Sequence, residues 1–171
     1  MLSAVLAAVL HAQITVLSPT DLLPRLPHTT GYVVGTTAVF GAPYYGQKLR
    51  GRLTYGKSYG DHYCSPDDYQ VTFPDADRSQ GLLNIVVVKR GICTFVKKVR
   101  VAQDTKNADA VIIVDRDDSP YTPSTIRNII VADDGTGGSI RIPSILISKE
   151  AGNELIAWLE TDDREPILVE L

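Results

Sequence analysis

The chain has 171 residues and a formal net charge of −3, with 44% hydrophobic and 22% charged residues. This length favours one domain with a substantial core, and the composition is typical of a folded globular protein rather than a disordered one. A net negative charge offers no basic surface for a phosphate backbone, so we expect no nucleic-acid partner.

The first twelve residues, MLSAVLAAVLHA, are apolar but too short to span a bilayer, as in the hydrophobic region of a secretory signal peptide. No Lys or Arg precedes the run, and cleavage after Ala12 would leave Leu10 where a small residue is preferred. A buried N-terminal segment is therefore the alternative. We predict a signal peptide over residues 1–12, one domain over residues 13–171, and no membrane-spanning segment elsewhere in the chain.

Short β-branched or alternating runs predict strands in the first half of the chain, at Ile14–Leu17, Tyr32–Phe40 and Leu49–Tyr55. A proline follows the first run, which indicates an edge strand. Gly35 interrupts the second run and could mark a bulge.

Residues 56–69 are polar, contain glycine and are rich in tyrosine, which predicts a surface loop that carries Cys64. We predict a short strand at Tyr69–Phe73 and a turn at Pro74–Gly81.

The middle of the chain has the pattern of a βαβ unit. Asn84–Val88 and Ala110–Val114 are unbroken apolar runs, typical of strands covered on both faces. Phe95–Lys106 between them has helical periodicity: the face formed by Phe95, Val99 and Ala102 is apolar, and the charged residues Lys97, Lys98 and Asp104 are expected largely outside it. Two strands joined by one helix favour parallel pairing with a right-handed crossover.

After an irregular region at Asp115–Gly138, the chain predicts a strand at Ile145–Ser148, a helix at Lys149–Glu160 and a last strand at Ile167–Glu170. Ser148 is a suitable N-cap for the helix.

The pattern RGxCxFxxKxxxAxxxxAxAxI resembles the protease-associated (PA) domain family. Its matching residues are Arg90, Gly91, Cys93, Phe95, Lys98, Ala102, Ala108, Ala110 and Ile112. The resemblance covers roughly residues 14–170. It implies a mixed α/β fold: a β-sandwich or open barrel with a βαβ unit and two main flanking helices. Two branches are most similar: the lumenal PA domains of vacuolar sorting receptors, through FGAPYYG at Phe40–Gly46, and small secreted PA-domain proteins, through VLSP at Val16–Pro19.

Arg90, Gly91 and Ile92 stand between a predicted buried strand and the start of a helix. Free N–H groups, the positive end of the helix dipole and a guanidinium could bind a carboxylate or a peptide carbonyl there. The resemblance implies contact with cargo peptide, although the receptors typically have an acidic residue where Ile92 stands. An arginine ion-paired at the surface is the alternative.

A second peptide-contact candidate is the loop containing Tyr44, Tyr45 and Gly46, whose aromatic faces adjoin a flexible backbone. Partly buried packing of the two tyrosines is the alternative.

The two cysteines, Cys64 and Cys93, predict a structural disulfide behind a signal peptide, with two buried free thiols as the alternative. A catalytic cysteine near His62 is disfavoured because no orienting group accompanies the pair. The acidic clusters at Asp115/Asp117/Asp118 and Asp133/Asp134 could bind calcium, but they lack a calcium-loop pattern and are interpreted as solvated loops.

The resemblance, together with these residues, implies a non-catalytic module that binds cargo peptides or proteins and recognises their sorting signals, without metal or cofactor. We expect it in the lumen of the Golgi, endosome or vacuole, or secreted, and it could be a fragment of a membrane receptor. The alternative is a stand-alone secreted PA protein or a scaffold that positions a protease or ubiquitin-ligase partner. A hydrolase is the third class.

Overall fold

The computed structural model describes residues 11–27, 31–41 and 48–171. Within these residues, seven strands form the sheet: β1 His11–Ser18, β2 Tyr32–Thr37, β3 Arg50–Tyr55, β4 Leu83–Lys89, β5 Ala110–Val114, β6 Ser144–Ile147 and β7 Leu168–Glu170. Hydrogen-bonded neighbours follow the order β1–β2–β6–β5–β4–β3–β7, and β7 pairs with β1 to close a barrel. The predicted mixed α/β PA-domain fold is confirmed, with the sheet in its closed form.

Closure of the barrel removes the predicted sheet edge. Strand β1 pairs with β2 on one side and with β7 on the other, so the prediction of an edge strand at Ile14–Leu17 is wrong. Gly35 likewise pairs in register with Ala12 and Ile147, without a bulge. A Cβ at Gly35 would lie 2.6 Å from the carbonyl oxygen of Leu146. Glycine is therefore required here because the neighbouring strand β6 packs too closely for a side chain.

In the described part of the chain, three α-helices accompany the barrel: α1 Asp75–Ser79, α2 Phe95–Lys106 and α3 Lys149–Leu159. Thr94 caps α2 by accepting a hydrogen bond from the Lys97 N–H (3.2 Å), and Asn107 ends the helix in the left-handed conformation. Ser148 caps α3 as predicted, accepting from the Ala151 N–H. Short 3₁₀ helices occupy Thr20–Arg25, Tyr59–Asp61, Ile126–Asn128 and Gly137–Ser139.

The predicted βαβ unit is present: β4 and β5 are parallel, with α2 between them in the chain. Both faces of these strands are buried. Ile85 and Val87 join a core cluster that contains side chains from all seven strands and from α3, whereas Val86 and Val88 join a second cluster beneath α2. This double burial explains why the two strands have no polar alternation.

Two predictions in the loop region are wrong. Tyr69–Phe73 forms no strand, and the predicted turn at Pro74–Gly81 contains α1. The loop at residues 56–69 is also less exposed than predicted, because Tyr63 and Tyr69 are buried in the cluster beneath α2.

Strands β3, β4, β5 and β6 are mutually parallel, so their carboxyl ends meet at one end of the barrel. Arg90 and Asp115 directly follow β4 and β5 at this end. None of the helices within the described ranges is long and apolar enough to cross a membrane. Strand β1 begins at His11, so the boundary predicted at residue 12 falls inside it.

Candidate functional site

A cleft of about 290 Å³ lies between the end of β4 and the start of α2. Arg90, Gly91 and Ile92 all line it, as do Cys93, Thr94, Phe95 and Arg116. The Arg90 N–H donates to the carbonyl oxygen of Val114 (2.7 Å), which continues the β4–β5 pairing one residue beyond the strand. Arg90, Gly91 and Ile92, the three residues of the first predicted peptide-contact segment, therefore lie together in one concave site.

The charge of Arg90 is compensated within the protein. Its Nη1 lies 3.0 Å from Oδ1 of Asp115, whose side chain is completely buried. Ser119 donates its hydroxyl to the other oxygen of this carboxylate. The guanidinium also lies over the ring of Phe95, 5.2 Å from its centroid. The interpretation of the Asp115 cluster as a solvated loop is thus wrong for Asp115 itself, because this residue anchors Arg90.

The guanidinium keeps hydrogen-bonding capacity toward the cleft. The Arg90 side chain is 30% exposed, and its N–H groups other than those on Nη1 have no acceptor among the described residues. The backbone N–H of Phe95, at the start of α2, also has no acceptor in the described ranges. Both groups can therefore donate to a ligand that carries an acceptor oxygen.

The protein places its own carboxylate at the start of α2. The hydroxyl of Thr94 donates to Oδ2 of Asp134 at 2.6 Å. Hydrogen bonds from Thr136 and Thr94 lower the pKa of Asp134, so this group is ionised at neutral pH. The positive end of the α2 dipole therefore already has an anionic partner.

Ile92 forms the exposed rim of the cleft. The residue is 77% exposed, and its backbone has φ of +30°. A positive φ is unfavourable for a β-branched residue, since its side chain clashes with its own backbone in that region. Arg116 also lines the cleft, and its Nε lies 3.3 Å from a carboxylate oxygen of Asp118.

Two tethers hold the loop behind the cleft. The predicted disulfide is present between Cys64 and Cys93, whose Cα atoms are 6.0 Å apart. Lys98 reaches the same loop from α2, donating to the carbonyl oxygens of His62 (2.6 Å) and Asp61 (3.2 Å). The loop adjoins the site, because its Cys64 is bonded to Cys93 in the cleft lining and a Cβ added at Gly91 would lie 3.7 Å from the Asp61 carbonyl oxygen.

The prediction that Lys98 lies outside the buried face of α2 is wrong. Its side chain is fully buried, and its ammonium lies 5.4 Å from the centroid of the Tyr63 ring. Burial lowers the pKa of Lys98 to about 8, against the opposing influence of Asp61 and Asp68. Helical periodicity was the available signal, because Lys98 falls three residues after Phe95 and four before Ala102, on the same face of the helix. The charge of the side chain led to its placement outside that face.

Other predicted features contribute nothing further to this site. Tyr44, Tyr45 and Gly46 lie outside the described residues, so their proposed contact with peptide remains a prediction. Both cysteines are engaged in the bridge. In the part of the chain that the structure describes, no group of three or more His, Cys, Asp or Glu could hold a metal ion.

A larger cleft of about 500 Å³ lies at the other end of α2, lined in part by Arg78, Asn84 and Lys106. Its basic groups are already engaged. Lys106 donates to the carbonyl oxygen of Pro66 (2.6 Å), and Arg78 lies 3.8 Å from a carboxylate oxygen of Asp109. No sequence pattern pointed to this cleft, and its lining suggests no defined ligand.

Comparison with known proteins identifies the family. The PA domain model matches residues 49–155. Vacuolar-sorting receptor 7 of Arabidopsis thaliana is 32% identical over 144 residues, covering 83% of this chain and 20% of the receptor. Vacuolar-sorting receptor 2 of the same plant is 31% identical over 121 residues, covering 68% and 18%. The chain thus spans about a fifth of the length of these relatives.

Two further similarities involve peptidases. Signal peptide peptidase-like 3 of Oryza sativa subsp. japonica is 27% identical over 86 residues, covering 50% of this chain and 15% of that protein. A zinc aminopeptidase from Bacillus subtilis superposes with a TM-score of 0.54 over 82% of this chain and 28% of the enzyme. At 20% identity this last likeness shows the fold alone. The match over residues 49–155, with the receptor similarity, shows that the chain belongs to the PA domain family.

Proposed function

We propose that this domain is a non-catalytic module that binds peptides or proteins in the lumen of the secretory or endosomal pathway, and that it recognises sorting-signal peptides of cargo. The similarity to vacuolar-sorting receptors supports the cellular context. The cleft at Arg90–Phe95 carries the binding proposal, because it combines unengaged N–H donors with a loop fixed by a disulfide. Such preorganisation lowers the entropic cost of binding.

A peptide titration tests the proposal at Arg90. Substituting Arg90 alone would leave Asp115 buried without its partner, so loss of binding could reflect misfolding. The double variant Arg90→Gln/Asp115→Asn removes the guanidinium and the buried charge together. Arg141→Gln is the matched control, since Arg141 is exposed and does not line the cleft.

The probe is a displayed library of random octapeptides at neutral pH. We expect wild type to select peptides whose affinity falls at least about tenfold in the double variant and stays unchanged in Arg141→Gln, as expected for loss of a central charged donor. Failure of the wild-type protein to select any peptide would reject the binding function. Equal affinity of the double variant would reject the site.

The remaining elements of the proposal concern chain organisation. We propose that residues 1–12 are a secretory leader and residues 13–171 a single domain. Cleavage after Ala12 would remove two residues of β1 and keep its pairs from Gln13 onward. N-terminal sequencing of the protein secreted by a eukaryotic host tests this boundary: an intact Met1 would contradict it.

The likeness to signal peptide peptidase-like 3 favours a second candidate, in which the domain is an accessory that positions a peptidase. The complete reading frame of the gene distinguishes the two. Continuation into a peptidase domain supports the accessory role, whereas continuation into further lumenal modules and a membrane anchor supports the receptor role.

A further inference from the structure

Among the described residues that line the cleft at Arg90–Phe95, each positive charge has a carboxylate partner, which leaves none uncompensated for an anionic ligand. Arg90 is paired with Asp115, which is fully buried and also accepts a hydrogen bond from Ser119. A ligand carboxylate could not displace this partner without leaving a buried charge unpaired. Arg116, the other cation in the lining, lies against Asp118.

The start of α2 leads to the same conclusion. Asp134 already provides the negative charge there through its hydrogen bond with Thr94. A second carboxylate would be repelled by Asp134 and would gain little from a dipole that already has a counter-charge. What remains unengaged is hydrogen-bonding capacity without a net charge: the N–H of Phe95 and the free N–H groups of Arg90, whose charge Asp115 balances. An uncharged carbonyl oxygen matches these donors best.

The exposed rim of the cleft is apolar. A single exposed hydrophobic side chain is ordinary, but Ile92 is both 77% exposed and held at a positive φ. Both features are unfavourable in the free domain. The neighbouring bonds hold this geometry, because Arg90 is fixed to Val114 and Cys93 to Cys64. Strain that the surrounding structure maintains at a cleft is typical of a contact surface for a ligand.

We propose that the cleft selects uncharged peptide segments, with an apolar side chain against Ile92 and a main-chain carbonyl accepting hydrogen bonds from Arg90 and the Phe95 N–H. Ile92 is the residue that determines this specificity. The inference rests on the proposed peptide-binding function and adds the class of ligand. It favours a peptide carbonyl over a carboxylate, the two acceptors that the sequence left open.

Four peptide pools test the selectivity. Each contains acetylated and amidated octapeptides built from uncharged small and polar residues, with one central position fixed as Leu, Gln, Asp or Lys. Affinities are measured by fluorescence polarisation at neutral pH. Burying one leucine side chain corresponds to about tenfold or more in affinity, so we expect the Leu pool to bind at least that much more tightly than the Asp pool.

Ile92→Asp should weaken binding of the Leu pool about tenfold and make the Lys pool the preferred one, because it replaces the apolar contact with a negative charge. Asp tolerates a positive φ better than Ile, so this variant is expected to fold. Ile130→Asp is the matched control: Ile130 is 73% exposed and does not line the cleft. Its four affinities should equal those of wild type.

The outcomes separate the two proposals. If no pool binds wild type, the peptide-binding function fails, and the selectivity fails with it. If all four pools bind equally, or the Asp pool binds most tightly, peptide binding stands and the selectivity is overturned. An unchanged ranking in Ile92→Asp would also overturn the role of Ile92.

Discussion

The guanidinium of Arg90 lies 3.0 Å from the completely buried carboxylate of Asp115, so the candidate site is attached to the core through an ion pair. We expect Arg90→Ala to lower the free energy of unfolding by about 3–5 kcal/mol, because it leaves a buried charge unpaired. Arg90→Gln/Asp115→Asn should lose clearly less. Urea unfolding of both variants provides the measurement. If Arg90→Ala is as stable as Arg90→Gln/Asp115→Asn, the unpaired carboxylate of Asp115 costs nothing, which would mean that water reaches it.

The positive φ of Ile92 should lower the stability of the folded domain, because a β-branched residue adopts this conformation at a higher energy than asparagine does. Ile92→Asn should raise the free energy of unfolding by about 1 kcal/mol, because Asn adopts φ near +30° more readily. Ile130→Asn, at an exposed position without a positive φ, serves as the control and should change stability by less than about 0.5 kcal/mol. Thermal unfolding measures both. If Ile92→Asn unfolds at a lower temperature than wild type, the backbone at Ile92 is not strained.

The bridge between Cys64 and Cys93 closes a loop with a sequence separation of 29. In the chain-entropy model, Cys64→Ser/Cys93→Ser should lose about 3–4 kcal/mol of unfolding free energy. The Lys98 hydrogen bonds still hold the loop in that variant. Hydrogen exchange at residues 59–64 should therefore increase moderately without the bridge and much more when Lys98→Met is added. Equal exchange in the two variants would show that Lys98 is not a tether.

Stability should rise with pH in the mildly alkaline range. The pKa of Lys98 falls from 10.5 to about 8 on folding, because burial disfavours its charged form. Between these values the unfolded chain binds a proton that the folded chain does not, so raising the pH favours folding by up to about 1.4 kcal/mol per pH unit. Urea unfolding from about pH 7 to about pH 10 measures the slope. Lys98→Met should remove it.

Buried tyrosines limit this gain. Burial raises the pKa values of Tyr63 and Tyr69 above the ordinary value of 10.0. Above about pH 10 the tyrosines of the unfolded chain ionise while these two stay protonated, and stability falls. The stability maximum should therefore lie near pH 10. A continuous decline from neutral pH upward would contradict the lowered pKa of Lys98.

Gly152 allows α3 to lie directly against β5. A Cβ at this position would overlap the side chain of Val114. We expect Gly152→Ala to cost about 1–3 kcal/mol of unfolding free energy, although alanine is the better helix former. Val114→Ala should recover part of that loss when the two are combined, and urea unfolding measures both variants. Glu154→Ala on the same helix is the control for helix propensity.

The sequence predicted those elements whose pattern is local. The predicted bounds of α2 at Phe95–Lys106 and of β5 at Ala110–Val114 agree with the structure. Apolar residues recur about every 3.6 positions in the helix and form an unbroken run in the strand, so the change from one pattern to the other is visible within a few residues. The disulfide followed from cysteine number. Arg90, Gly91 and Ile92 were placed together because all three lie in one short connection.

Features set by distant parts of the chain could not be predicted in this way. Strand β1 was interpreted as an edge because nothing near it shows that β7 would close the barrel. Asp115 was assigned to a solvated loop because its partner, Arg90, lies 25 residues earlier. Lys98 was expected outside the buried face because its side chain is charged, and the carbonyl groups that accept its hydrogen bonds belong to a loop 36 and 37 residues away. In each case a tertiary contact overrides the local pattern.

Barrel closure through β1 and β7 also determines how the domain can be displayed. These antiparallel neighbours bring His11 and Leu171 to the same end of the barrel, next to the start of β3. Arg90 follows the carboxyl end of β4, which is parallel to β3, so the cleft opens at the opposite end. A segment joined to the domain at His11 or at Leu171 would therefore attach at the end of the barrel opposite the cleft and leave the cleft accessible.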